Sequence, residues 1–296
     1  MLAQPAPHTS GTAYLRSSIV TALTQTPRSN VGVDVETLYR DGIVGLKGAF
    51  SPQWAEQMRE DMATAFGEAI ARPGGAVGRG PQRWYVEVHP QAIRGFVDLV
   101  THPWLIGISE AVLGPDYEIV EVGFDTPFQG ARNQPWHRDF PSPPETFRDR
   151  RITSLAFNLT GVDVTPEMGP FEIALGTHFD DGRAWDHEMF PPRDAWQRFG
   201  ELGSRKYPQA GDMSARSALT IHRGAEHGSA TSRPVLVIGV DAPGAGHSQL
   251  HDMMVTSDYH EALPEAVKRH LVCRVVDELV PITQKHDIEG LVMGAD

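Results

Sequence analysis

The chain has 296 residues, of which 40% are hydrophobic and 22% are charged, as in an ordinary soluble globular protein. Its formal net charge of −12 repels phosphate backbones and anionic lipids, so nucleic acids and membrane surfaces are not expected as partners. An anionic small molecule is compatible with this charge, because a local arginine can hold it. No apolar run approaches the roughly 20 residues of a membrane-spanning helix.

The first 30 residues predict little regular structure. Residues 1–30 are rich in Ala, Thr, Ser and Pro and lack the basic cluster and apolar block of a secretory signal. We predict a flexible tail over 1–30 and a single domain over 31–296. The one cysteine, Cys273, has no partner for an intramolecular disulfide, which suits a reducing compartment such as the cytoplasm. The helix-like pattern of 267–276 predicts that this thiol is buried.

The N-terminal part of the domain predicts helices alternating with strands. In chain order, we expect a helix over 34–40, a strand over 42–47 and a helix over 51–71. A flexible Gly-rich loop over 73–80, a strand over 83–88 and a helix over 96–113 should follow. Asp34 and Ser51 are candidate N-caps, and Pro52 suits the first position of the second helix. Gly114 and Pro115 end the last of these helices.

From Tyr117 onward the pattern changes to short strands separated by turns rich in Gly, Pro and Asp. The predicted strands cover residues 118–124, 152–159, 171–175, 218–222 and 235–240, and a last helix is predicted over 264–279. Helices first and short strands later are typical of an α+β protein with a sandwich or barrel core.

A histidine and an aspartate two residues apart, His137 and Asp139, form the first part of a candidate metal site. Alternate residues of a strand point to the same face, so both side chains can reach one ion while Arg138 points away. With a distant second histidine they make the two-His-one-carboxylate set that leaves three adjacent coordination sites open, as non-haem iron(II) oxygenases require. His-x-Asp alone is a weak signal, so the second histidine decides the interpretation.

We predict that this second histidine is His222, on which an apolar strand ends after a turn. His227 is the competing ligand and is interpreted as a loop residue. His178, which closes a Gly-Thr-His turn, is interpreted as structural. His247 and His251 have glycines nearby and are interpreted as solvated loop residues.

Arg233 stands immediately before the apolar run Pro234–Val240. In an antiparallel pair of strands it would face the same interior as His222. A buried guanidinium needs an anion, and its planar fork suits a carboxylate. A salt bridge to one of the chain's many acidic residues is the alternative explanation.

Four segments in a fixed order resemble the phytanoyl-CoA dioxygenase family, from about Leu38 to Val240. They are Tyr39–Pro52, the Trp-His-Arg-Asp run 136–139, the segment Thr165–His178, and Gly211-Asp212 followed by His222 after ten residues and Arg233 after a further eleven. This ordered set is far more specific than any one of its motifs.

The resemblance implies a double-stranded β-helix, a jelly-roll or cupin-like core of antiparallel sheets with flanking helices. It implies that His137, Asp139 and His222 bind Fe(II). It further implies that Arg233 binds the 5-carboxylate of 2-oxoglutarate, that Gln134 also contacts this co-substrate, and that O2 is consumed.

Two positions depart from the family pattern. Relatives often carry a small hydroxyl residue two positions after the distal histidine, where this chain has Gly224. Relatives also often carry a tryptophan in the strand 152–159, where Phe157 or Asn158 stands near that place. Both departures concern contacts to 2-oxoglutarate and leave the metal ligands unchanged.

The implied activity is hydroxylation of a small-molecule substrate, with release of succinate and CO2. Asp139 occupies the position that related halogenases leave free for a halide, which favours oxygen transfer. Desaturation, epimerisation or cyclisation of a natural-product intermediate uses the same cofactors and stays open at this point. A zinc hydrolase with the same two histidines and aspartate, or a non-enzymatic binder on the same barrel, are more distant alternatives.

Two long segments, 140–147 and 185–207, follow core strands, and we expect them to shape the substrate entrance. The Gly-rich loop 74–80 lacks the Gly-Lys-Ser/Thr ending of a P-loop. We interpret it as a mobile loop near the pocket.

Overall fold

The computed structural model describes residues 30–186, 188–245 and 250–284, so His247 and the predicted tail before Asn30 lie outside the described residues. Within these ranges the helices are α1 Val31–Asp41, α2 Pro52–Ile70, α3 Phe96–Val100, α4 Pro103–Leu113, α5 Pro144–Asp149, α6 Trp196–Glu201, α7 Ser257–Ala262 and α8 Glu265–His270. The strands are β1 Ile43–Leu46, β2 Val77–Gly78, β3 Arg83–Glu87, β4 Glu118–Pro127, β5 Ser154–Thr160, β6 Phe171–Ala174, β7 Gly203–Lys206, β8 Met213–Ser217, β9 His222–Gly224, β10 Val235–Asp241, β11 Met254–Thr256 and β12 Arg274–Val276.

Two antiparallel sheets form the core. The large sheet has the strand order β1-β8-β5-β10-β4-β3-β2, and the small sheet has the order β7-β6-β9. Strands β11 and β12 pair in parallel beside them. Helices combined with two antiparallel sheets confirm the predicted α+β class. No helix among the described residues is both long and apolar enough to cross a membrane.

Strand β10 shows how the large sheet separates two environments. Leu236, Ile238 and Val240 are fully buried in the main apolar cluster, and burial of each contributes about 1.5–3 kcal/mol. Val235 and Val237 alternate with them along the strand and line an internal cavity instead. One face of the large sheet therefore stabilises the fold, and the other is available for binding.

The first two helices differ in how well their starts are predicted. Helix α1 begins at Val31, so Asp34 is not its cap but lies in its first turn. The Asp34 carboxylate instead accepts a hydrogen bond of 2.8 Å from the Trp104 indole of α4, a tertiary contact that no local pattern encodes. The predicted cap of α2 is confirmed, because the Ser51 hydroxyl accepts a hydrogen bond from the Trp54 backbone N–H at 3.2 Å.

The helix predicted over 96–113 is in fact two helices, α3 and α4. The break is at Thr101–His102, directly before Pro103. A proline disfavours helical backbone at the residue before it, and His102 is accordingly extended. The His102 ring then caps α4 by accepting a hydrogen bond from the Trp104 backbone N–H at 3.2 Å.

The prediction of one helix over 264–279 is wrong after His270, where α8 ends. Residues 274–276 form β12 and pair with β11, because a neighbouring strand offers backbone partners that the isolated sequence does not reveal. Cys273 lies between α8 and β12 and is only half-buried, so the prediction of a fully buried helical thiol is also wrong.

The strand predicted over 218–222 is wrong in its position. Strand β8 ends at Ser217, and a turn follows in which the Ser217 hydroxyl accepts a hydrogen bond from the Leu219 backbone N–H at 3.3 Å. Strand β9 then begins at His222 and belongs to the small sheet. The predicted loop 73–80 likewise contains the short edge strand β2.

Candidate active site

A cavity of about 680 Å³ is lined by strands of both sheets, within the size range of small-molecule sites. Phe140 and Pro141 of the first long segment line it, as do Met189, Lys206 and Tyr207 of the second. Both segments that we expected at the substrate entrance therefore contribute to the cavity wall.

His137, Asp139 and His222 meet on one side of this cavity. Each offers a ligand atom, and these atoms all lie within 4.8 Å of one another. The His222 Nε2 lies 3.4 Å from the Asp139 Oδ1, and the two imidazole centroids are 4.4 Å apart. No other group of three potential metal ligands occurs in the part of the chain that the structure describes.

Backbone pairing, and not a regular strand at 137–139, brings these residues together. The backbone N–H of His137 donates to the His222 carbonyl at 3.0 Å, and that of His222 donates to the His137 carbonyl at 2.8 Å. The N–H of Asp139 donates to the Ala218 carbonyl at 3.1 Å. The predicted strand alternation is therefore wrong in detail, although both side chains still reach one point.

Both histidines are fixed in the tautomer that a metal ligand needs. Their Nδ1 atoms donate to backbone carbonyls, His137 to Pro135 and His222 to Thr220, each at 2.8 Å. A carbonyl can only accept, so the proton lies on Nδ1 and the Nε2 lone pair is available. Burial lowers the pKa of His137 to about 4 and that of His222 well below its usual value. Both rings are therefore neutral near pH 7.

Asp139 is held as a carboxylate by Arg216, which the sequence analysis missed. Burial alone would raise the pKa of Asp139, but Arg216 and His222 lower it below its usual value. The Arg216 Nη1 donates to the Asp139 Oδ2 at 2.6 Å. Arg216 is the only charged residue of strand β8, and this was the one signal in the sequence that pointed to the contact.

Arg233 lies elsewhere on the cavity wall, and its guanidinium is buried. Its Nε donates to the Met168 carbonyl at 3.0 Å. No carboxylate in residues 30–186, 188–245 or 250–284 forms an ion pair with it, so a structural salt bridge does not explain its burial. Burial and the nearby positive charge of Arg83 lower the pKa of Arg233 to about 10.

Arg83 is a second buried arginine of the cavity that the sequence analysis missed. Its Nη2 donates to the Ala225 carbonyl at 3.0 Å, and its Nη1 lies 3.3 Å from the Asp125 Oδ2. A Cβ atom added at Gly224 would overlap with the Arg83 guanidinium. This overlap is a physical reason why glycine, and not a hydroxyl residue, follows the distal histidine by two positions.

The remaining positions named from the sequence either line the cavity or support the fold. His251, which we predicted to be a solvated loop residue, is instead buried and lines the cavity. Gln134 and Asn158 line the cavity, and the Gln134 Oε1 accepts a hydrogen bond from the Gly224 backbone N–H at 2.7 Å. Phe157 is fully buried in the apolar core. Both ring nitrogens of His227 bond to backbone carbonyls, and buried His178 lies outside the ligand cluster.

Residues 38–235 match the family described as phytanoyl-CoA dioxygenase (PhyH). No curated protein sequence matches the chain. Among solved structures, the chain is similar to a crystal structure of EctD from S. alaskensis with 2-oxoglutarate and 5-hydroxyectoine. The TM-score is 0.57 at 16% sequence identity, over 74% of this chain and 78% of that chain. At this identity the likeness concerns the fold, and it confirms the predicted double-stranded β-helix with flanking helices.

Proposed function

Because the chain belongs to the phytanoyl-CoA dioxygenase family of Fe(II)- and 2-oxoglutarate-dependent dioxygenases, we propose that it hydroxylates a small organic molecule in the cavity described above. One molecule each of substrate, O2 and 2-oxoglutarate would give the hydroxylated product, succinate and CO2. The proposal rests on one observation above all. Three converging metal-binding groups share a cavity with a buried arginine that has no carboxylate partner among the described residues.

We assign Fe(II) binding to His137, Asp139 and His222. Two neutral imidazoles and one ionised carboxylate are the donor set that leaves three adjacent positions open for co-substrates. Their protonation states suit the ion without rearrangement, since metal binding requires neutral imidazole and ionised carboxylate. When bound there, iron supplies the activation of O2 for oxidation of a C–H bond.

We assign the distal carboxylate of 2-oxoglutarate to Arg233, with Arg83 as a second source of positive charge. A planar guanidinium binds a carboxylate through two parallel hydrogen bonds. Two buried arginines near one carboxylate, Asp125, carry excess positive charge, which a dicarboxylate would neutralise. Gln134, which bonds to the Gly224 backbone in this region, would also contact the co-substrate.

Hydroxylation is preferred over halogenation because Asp139 occupies the cluster and is held by Arg216. A second anion beside this carboxylate is disfavoured by charge repulsion. Desaturation, epimerisation and cyclisation require the same groups, and no particular contact favours them. A zinc hydrolase or a non-catalytic binder has no need of an arginine pair, and family membership sets both readings aside.

The test is product analysis of reactions run with ¹⁸O₂, Fe(II) and 2-oxoglutarate on a panel of small molecules, in buffer that contains chloride. We expect substrate-dependent succinate release and one ¹⁸O atom in the product. Succinate release without oxygen in the product would replace hydroxylation by desaturation or cyclisation. A chlorine isotope pattern, or turnover that does not depend on 2-oxoglutarate, would contradict the proposal.

A further inference from the structure

We propose that Arg79 binds a carboxylate, or an oxyanion of similar shape, on the organic substrate, so that the substrate is an anion with an apolar body. This inference rests on the proposed function, because the substrate is the molecule oxidised in the same cavity. It concerns a residue that neither the metal cluster nor the 2-oxoglutarate contacts use.

The β2–β3 hairpin aims Arg79 into the cavity. Val77 pairs with Tyr85 across the hairpin, and Arg79 lies two residues further along, so its side chain shares the face of Tyr85. The Arg79 backbone N–H donates to the Arg83 carbonyl at 2.8 Å, which anchors the turn. The guanidinium carbon lies 5.3 Å from the centroid of the Tyr85 ring, over its face.

The guanidinium of Arg79 has no hydrogen-bond acceptor within the described residues. Its Nε is buried and unbonded, and no carboxylate in the described part of the chain lies within ion-pair distance of it. Every other arginine of the cavity donates at least one hydrogen bond, namely Arg83, Arg138, Arg216 and Arg233. Arg79 as a whole is half-buried, and its buried Nε is a donor withdrawn from water without an acceptor, which is costly. An oxyanion in the cavity would supply that acceptor.

Arg79 is placed to serve the substrate and not the co-substrate. The distal carboxylate of 2-oxoglutarate is assigned to Arg233 and Arg83, and its other carboxylate belongs at the metal cluster. Arg79 and the metal ligand His137 line the same cavity. A third carboxylate held by Arg79 would therefore share that cavity with the reacting centre.

The apolar residues that line the cavity indicate the chemical character of the rest of the substrate. Leu46, Val164, Phe171, Leu175 and Met189 also line the cavity. Apolar and aromatic walls with a few placed polar groups are typical of sites that bury most of a small ligand. A hydrocarbon or aromatic body with one acidic group fits this combination.

The proposal is tested with matched acid and amide pairs, such as 3-phenylpropanoate with 3-phenylpropanamide and hexanoate with hexanamide. Dissociation constants are measured by tryptophan fluorescence, both on metal-free protein and on protein loaded with Fe(II) and 2-oxoglutarate without oxygen. We expect wild type to bind at least one acid about tenfold more tightly than its amide, the size expected for one charged hydrogen bond. Arg79→Gln should abolish this preference, and Arg79→Lys should retain part of it.

The matched control is Arg148→Gln, because Arg148 also lies against an aromatic ring but is exposed and outside the cavity. It should leave the acid preference unchanged. Wild type that prefers no acid, including one that binds neither member of any pair, overturns the proposal. An Arg79→Gln variant that keeps the acid preference also overturns it. The same holds if Arg79→Gln weakens 2-oxoglutarate binding as much as Arg233→Leu does. Failure of the loaded wild type to bind 2-oxoglutarate would instead contradict the proposed function, since the metal-free titration tests Arg79 by itself.

Discussion

The metal cluster, meaning the ligand residues His137, Asp139 and His222, and the arginine pair, Arg83 and Arg233, line one cavity. The two groups differ in whether their side chains already have partners before a ligand binds. At the metal cluster every group has a partner before the ion arrives. The Nδ1 atoms of His137 and His222 donate to carbonyls, and Asp139 accepts from Arg216. At the arginine pair, Arg233 has one backbone acceptor and, among the residues that the structure describes, no carboxylate of its own.

The binding free energies of the two ligands therefore have different sources. The metal cluster is preorganised, so iron finds donors with the correct protons and orientation. The arginine pair is electrostatically incomplete, so its ligand must supply the missing negative charge. Removing a metal ligand should therefore abolish function outright, whereas changes at the arginine pair should weaken 2-oxoglutarate binding by degrees.

The largest expected effect comes from the metal ligands. His137→Ala, Asp139→Ala and His222→Ala should each abolish iron-dependent turnover and leave the fold largely intact, because the connecting backbone hydrogen bonds do not involve these side chains. Bound iron and circular dichroism are the measurements, with His227→Ala as the matched control that should keep iron and turnover. An active His222 variant beside an inactive His227 variant would show that the ligand assignment is wrong.

The next effect is at the arginine pair. Arg233→Leu removes a charged bidentate contact of about 1.5–3 kcal/mol, which corresponds to about 10- to 150-fold in affinity for 2-oxoglutarate. Iron affinity should change little, since Arg233 does not contact the three ligands. Titration of both ligands into the same protein checks this. An unchanged requirement for 2-oxoglutarate would exclude Arg233 from its site.

A smaller effect on the metal cluster is expected from Arg216→Met. The Asp139 carboxylate would lose its 2.6 Å hydrogen bond, and losses of this kind typically cost about 10- to 100-fold in metal affinity. Competition with a chelator measures the iron dissociation constant, and Arg216→Lys should lose less because it keeps the charge. Equal iron affinity in all three proteins would mean that Asp139 is oriented without Arg216.

The smallest expected effect on 2-oxoglutarate affinity comes from Gly224, which packs against Arg83 of the arginine pair. Gly224→Ser places a side chain where the Arg83 guanidinium lies, so Arg83 must move, and 2-oxoglutarate affinity should fall about tenfold. In the Arg83→Ala background the same substitution should cost much less, because the overlap is gone and the hydroxyl supplies a new donor. A double-mutant cycle measures this coupling. Strictly additive effects would show that the two positions are independent.

The site residues that stand in motifs of fixed spacing could be predicted from the sequence. Those that reach the cavity only through pairing between distant strands could not. His137, Asp139, His222 and Arg233 stand in ordered motifs, and the fold brings them to one cavity. Arg83 reaches that cavity only because β3 pairs with β4 in the large sheet. The sequence around Arg83 does not distinguish it from an arginine that begins a strand of a surface hairpin.

Element bounds failed for a related reason. The helix predicted over 96–113 overlooked the restriction that Pro103 places on His102, which is a local rule. The predicted strand over 218–222 failed because a turn after Ser217 separates β8 from β9. The predicted helix over 264–279 failed because β11 pairs with residues 274–276. Apolar periodicity alone reveals neither the turn nor the pairing.

A crystal structure of the protein with Fe(II) and 2-oxoglutarate, grown without oxygen, would show whether His137, Asp139, His222 and Arg233 hold these two ligands. We expect an anomalous iron peak within bonding distance of Nε2 of His137 and His222 and of the Asp139 carboxylate. We also expect the distal carboxylate of 2-oxoglutarate on Arg233. Iron bound by any other set of residues, or that carboxylate on a residue other than Arg233, would show that the assignment is wrong.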